Sequence, residues 1–137
     1  MKILKTITIS AFLLSMAFVN LAVAGMDEEV FQLQKSWEKM KYQTPLNQQE
    51  KGFEELLLQS EKVTSQYPGK AEPLIWQGII QGTYAGVRNG ISGQLAALGL
   101  VKAAKKSFEE AMQINPGALQ GSAYTSLGSL YYQVPAW

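Results

Sequence analysis

The stretch AKKSFEEAMQINPGALQGSAYTSLGSLY, from Ala104 to Tyr131, decides the fold. In its first half Ala104, Phe108 and Ala111 recur at steps of four and three, and Ala97 and Val101 continue the row upstream. That spacing gathers them on one face of a helix from about Gln94 to Ile114. Lys102, Lys105, Lys106, Glu109 and Glu110 fall on its solvated sides. Asn115-Pro116-Gly117 ends the helix, because proline has no amide to donate and glycine accepts turn angles. A second helical run follows from about Leu119 to Gln133 and stops at Val134-Pro135.

The same punctuation continues upstream. A helix from about Ala71 to Ala85 carries Pro73 in its first turn, where no hydrogen bond is lost. Its Leu74, Ile75, Trp76, Ile79 and Ile80 are apolar on more than one side, the mark of a helix sandwiched between neighbours. Gly86 to Gly93 holds three glycines and an asparagine in eight residues and reads as a loop. Before Pro68-Gly69, a helix buries Phe53, Leu56, Leu57, Ser60, Val63 and Tyr67. Asn47 and Glu50 stand at capping-box spacing at its start. The earliest helix aligns Val30, Leu33, Trp37 and Met40 and stops at Thr44-Pro45. No segment alternates with a period of two, so no sheet is expected. The expected fold is all-α, with antiparallel hairpins over about 27–67 and 71–115 and an unpaired helix over about 119–133.

Helix pairs separated by proline invite a search for repeats. Ala104-x3-Phe108-x2-Ala111-x4-Pro116 follows the pattern of the second helix of a tetratricopeptide unit. Tyr124-x2-Leu127-Gly128-x2-Tyr131 follows that of a first helix, with tyrosine in the place of tryptophan. Gly78 lies ten residues after Pro68, as the first-helix glycine should. Leu56, Ser60, Val63 and Pro68 keep the second-helix spacing without its alanines and phenylalanine. The chain therefore resembles the tetratricopeptide family across Asp27 to Gln133, most specifically in the last third. From Ala71 to Gln133 it is similar to a group of bacterial exported tetratricopeptide proteins, which includes the periplasmic T component associated with some solute transporters. The resemblance implies a short α-solenoid whose first helices line a concave face for a protein or peptide partner. The pattern is cut in mid-unit, so a shortened form of a longer array is expected. The second reading makes the tyrosine-rich last helix a surface for self-association.

Lys2 and Lys5 precede an apolar run from Ile7 to Val19, and Ala22-Val23-Ala24 stands before Gly25. A cationic start, an apolar middle and small residues at the cut make a secretory signal over residues 1–24, with a periplasmic or secreted product from Gly25 and no membrane anchor after cleavage. Taking Lys2 and Lys5 from the 12 basic residues leaves ten against 11 acidic ones. A balance so near zero gives no general attraction to nucleic acid or anionic membrane. With no cysteine the fold rests on packing alone.

The chain also has no histidine. Serine and cysteine nucleophiles activated by histidine, and nearly every zinc site, are thereby excluded. The pairs Glu28-Glu29, Glu54-Glu55 and Glu109-Glu110 read as surface charge. Ser36-x2-Lys39 lacks the companion motifs of the penicillin-binding enzymes. The glycine-rich segment lacks the Gly-Lys-Ser/Thr of a phosphate-binding loop. The expectation is a protein that is not an enzyme and needs no cofactor or metal. Its expected partner is another protein or peptide of the cell envelope, met on a face that presents Ile75, Ile79 and Gly82 from the middle hairpin and Thr125, Ser129 and Tyr132 from the last helix. The alternative is an accessory of a solute transport system, binding a substrate-binding protein or a small apolar ligand.

Overall fold

A computed structural model describes residues 24–88 and 90–133, the side chains of residues 90–92 excepted. The expected signal segment, apart from Ala24, lies outside the described residues. Among these residues the protein is all-α, built of five helices in antiparallel hairpins packed side by side. They are α1 (24–43), α2 (Leu46–Gln66), α3 (Ala71–Val87), α4 (Gly90–Ile114) and α5 (Ser122–Gln133), with a 3-10 turn at Ala118–Gly121 before α5. No described helix is long and apolar enough to cross a membrane.

The helix rows foreseen from spacing are the rows that pack. Val30 and Leu33 of α1 and Phe53, Leu56, Ser60 and Val63 of α2 are buried. So are Val101, Ala104, Phe108 and Ala111 of α4. Two apolar clusters result. One joins α1, α2 and α3 through Leu33, Phe53, Leu56, Val63, Ile80 and Tyr84. The other joins α3, α4 and α5 through Ile75, Val101, Ala104, Phe108, Ala123 and Leu130. Helix α3 supplies both, which is why its sequence is apolar all round. Between α3 and α4, the Ser107 hydroxyl donates to Gln81 Oε1 at 2.9 Å, so two buried polar groups satisfy each other.

Two readings of the sequence are corrected. The eight residues from Gly86 are not a loop: α3 runs through Val87, α4 begins at Gly90, and only residues 88–89 connect them. A Cβ on buried Gly93 would lie 3.3 Å from the backbone carbon of Arg88. The glycine serves close chain passage in this turn, a role with the same sequence signature as a loop. Nor is there a capping box at Asn47. Helix α2 starts at Leu46 after Pro45, with no side-chain cap, and Glu50 instead pairs with Arg88 at 3.2 Å. The turn is closed by buried Gln49, whose amide nitrogen donates to Thr44 O at 2.9 Å and Lys41 O at 3.3 Å.

The other turns follow their chemistry. Gly69 has φ of 74°, a left-handed angle that glycine accepts without strain. After α4, the Asn115 side chain accepts from the Gly117 amide at 3.1 Å. The chain then passes through Leu119, Gln120 and Gly121 at φ of 47°, 59° and 76°. Three left-handed residues in succession reverse the chain sharply and bring α5 back against α4 and α3.

Candidate functional site

Helix α3 forms the floor of a groove of about 610 Å³, lined there by Gly78, Ile79, Gly82, Thr83, Gly86 and Val87. Glycines at every fourth position lie on one face of the helix. Their reasons differ. A Cβ on Gly78 would meet the Phe108 ring at 2.6 Å, so this glycine lets α4 approach. One on Gly82 would stand at ordinary contact distance from Leu130, and one on Gly86 would meet nothing within 4 Å. The floor at Gly82 and Gly86 is thus little more than helix backbone.

One wall comes from α1 and the start of α2: Trp37, Lys41, Leu46 and Gln49. Trp37 is fixed by an Nε1–H bond to Thr83 Oγ1 at 2.9 Å, and the Thr83 hydroxyl donates in turn to Ile79 O at 2.8 Å. Trp37 also meets Trp76 edge-on, with ring centroids 5.9 Å apart. This chain of contacts holds α1 beside α3. Above it the Lys41 ammonium lies 4.8 Å from the Trp37 ring centroid and 5.4 Å from that of Tyr42.

The opposite wall is α5, with Thr125, Ser126, Ser129, Leu130 and Gln133. Two of its hydroxyls are already committed as donors: Thr125 to Ser122 O at 3.1 Å and Ser129 to Thr125 O at 3.0 Å. Their oxygens remain able to accept. Gln49 is in the same position, since both bonds of its amide group go to backbone carbonyls across the α1–α2 turn. The walls therefore offer acceptors at Thr125, Ser129 and Gln49 and groups that both donate and accept at Ser126 and Gln133, and Lys41 is the one charged side chain among the described residues that line the groove. A smaller cleft of about 210 Å³ lies between α1 and α2, lined by Glu29, Lys62 and six neighbours, and has no comparable floor.

Of the residues singled out in the sequence, Ile79, Gly82, Thr125 and Ser129 come together in the groove. Ile75 does not. It has no exposed surface and belongs to the core against α4. Tyr132 is 91% exposed and outside the lining, because α5 turns its Ser/Thr face to the groove and its tyrosines outward. Lys41, Gln49 and Thr83 were not singled out. Their role depends on how α1 meets α3 and α2, which spacing within one helix does not reveal. Comparison of the chain with family models, curated proteins and solved structures gave no match.

Proposed function

We propose that the protein is a non-catalytic interaction module of the tetratricopeptide kind, exported to the cell envelope, whose groove holds an extended segment of a protein partner. The observation that carries this reading is the makeup of the groove. Its floor is α3, and its walls are α1 with the start of α2 on one side and α5 on the other; in a tetratricopeptide array α1, α3 and α5 would be the first helices of their units. Its glycine floor admits a backbone closely, and its side walls present acceptors to the amides of an extended chain. The sequence adds that histidine and cysteine, which carry most nucleophilic and zinc chemistry, are both missing.

A photo-crosslinking residue at Thr125 tests the proposal in cells. Adducts with an envelope protein are expected from this position and not from Lys106 on the outer side of α4. They should vanish when Gly86→Trp fills the floor. Equal adducts from both positions, or adducts that persist in the filled variant, would count against the groove. A second reading, an accessory of solute transport holding a small apolar ligand, draws on the volume of the groove and on Ile79, Val87 and Leu130 within it. A small molecule released on denaturing the purified protein, detected by mass spectrometry, would favour it.

A further inference from the structure

Charge on this protein is mostly paired or turned outward. Lys35 pairs with Glu38, Lys105 with Glu109, Lys106 with Glu110, and Arg88 with Glu50. Lys41 is different in place and in company. It stands at the groove, and no described carboxylate pairs with it. Its ammonium rests against the Trp37 and Tyr42 rings, which localise a cation without neutralising it.

The surroundings do not cancel this charge. Helix α3 has no charged residue lining the groove, α4 contributes only Phe108, and α5 has no Asp, Glu, Lys or Arg anywhere in its length. Glu50, next to Gln49, is bound to Arg88. The end of α1 would ordinarily present free carbonyls, the negative pole of the helix. Here one of the last four, Lys41 O, accepts from Gln49 at 3.3 Å, and the flanking Lys39 O and Thr44 O accept from the Thr44 hydroxyl at 3.2 Å and from Gln49 at 2.9 Å. The groove is therefore an uncharged polar channel with one positive mouth.

We infer that the partner of this groove is an acidic peptide: a segment with uncharged residues along α3 and α5 and a carboxylate at the Lys41 mouth. This rests on reading the groove as a peptide site, and adds the charge and direction of what it takes. The carboxylate is either an Asp or Glu side chain or a chain terminus, since both offer the same oxygens to the ammonium.

The probe is a random library of short synthetic peptides, half with free and half with amidated C-termini, selected on the full-length protein and sequenced. Acids should be enriched about 1.4-fold to fivefold among the bound peptides, the range expected of one solvent-exposed pair. The bias should fade as salt rises from about 0.01 to about 1 M, which shortens screening from about 30 to about 3 Å. Lys41→Gln should remove the bias while peptides still bind, and Lys41→Glu should turn it towards Lys and Arg. Neither change should lower the thermal midpoint by more than about 5 °C, the loss expected of one exposed cation–π contact. Bias confined to free C-termini assigns the carboxylate to a terminus, and bias kept in the amidated half assigns it to a side chain. Peptides that bind, are displaced by Gly86→Trp and show no acid bias, or show one that Lys41→Gln leaves intact, overturn the inference and leave the peptide groove standing. Absence of any peptide sensitive to Gly86→Trp overturns the groove itself and the inference with it.

Discussion

Replacing Gly78 by alanine should destabilise the protein, although alanine is the better helix former. The new methyl would lie 2.6 Å from Phe108 Cε1 and 2.9 Å from both Cδ1 and Cζ. Normal carbon contacts are about 3.5 to 4 Å, so the ring must retreat by about 1 Å. Phe108 is only 2% exposed and is packed among Ile75, Ala104 and Ala111, so it has little room. Such overpacking costs about 1 to 3 kcal/mol, and a rigid buried ring belongs near the upper end. Alanine recovers about 1 kcal/mol of helix propensity. The net loss is about 2 kcal/mol, or about 10 °C in midpoint for a domain of this size. Two controls isolate the cause. Gly99→Ala lies in exposed helix with nothing within 4 Å and should stabilise by about 0.5 to 1 kcal/mol. Gly52→Ala would overlap only the end of the Met40 side chain, which can move aside, and should be close to neutral. Thermal and urea unfolding of the three variants give the comparison. A Gly78→Ala protein as stable as the parent would refute the close α3–α4 contact on which the second core cluster depends.

The Trp37–Thr83 bond can be measured by a double-mutant cycle with Trp37→Phe and Thr83→Val, for which a coupling of about 1 kcal/mol is expected in urea unfolding. Zero coupling would mean that α1 is held against α3 by packing alone. Gln120→Gly should raise stability by about 0.5 to 1 kcal/mol, because it relieves a left-handed angle in a side-chain-bearing residue at some cost in chain entropy. A fall on calorimetry would show that the Gln120 side chain contributes more than the strain it causes. Burial and the Glu29 carboxylate raise the Tyr67 phenol above its ordinary range, and the Glu109 hydrogen bond raises the Lys105 ammonium. Both groups are held protonated by the fold, so their contribution is complete below the unfolded-state values and is lost as pH rises through the folded ones. The thermal midpoint should therefore fall above about pH 10, less steeply in a Tyr67→Phe, Lys105→Met variant. An unchanged slope would remove both groups from the account.

Helix existence was legible because each row of buried residues is written at helical spacing along one segment. The two-sided packing of α3 was legible for the same reason, since Ile75 and Ile80 fall on different faces and both are buried. The α3–α4 connection was misread because glycine reports only that a Cβ would be unwelcome. It does not say whether the reason is a turn angle, as at Gly69, or a neighbouring chain, as at Gly93. The groove was half legible. Ile79, Thr125 and Ser129 share a face with the small residues of their helices, whereas Ile75 falls on the face that α4 covers. Gln49 had no legible signal at all, for a buried glutamine within a polar run looks like a solvated one until the α1–α2 turn brings two carbonyls to it.

The position of α3 also orders events as the chain is made. Synthesis is directional and proceeds at about 5 to 20 residues per second. When α3 emerges, α1 and α2 already exist and can cover its Ile80 and Tyr84 side. Its Ile75 side must wait for the Val101-to-Ala111 row of α4, a further helix of 25 residues. For about one to several seconds of synthesis, the α4 side of α3 therefore has no native partner in the chain already made. That interval is when a chaperone would have most to hold, and when a stalled or shortened chain would be most inclined to aggregate.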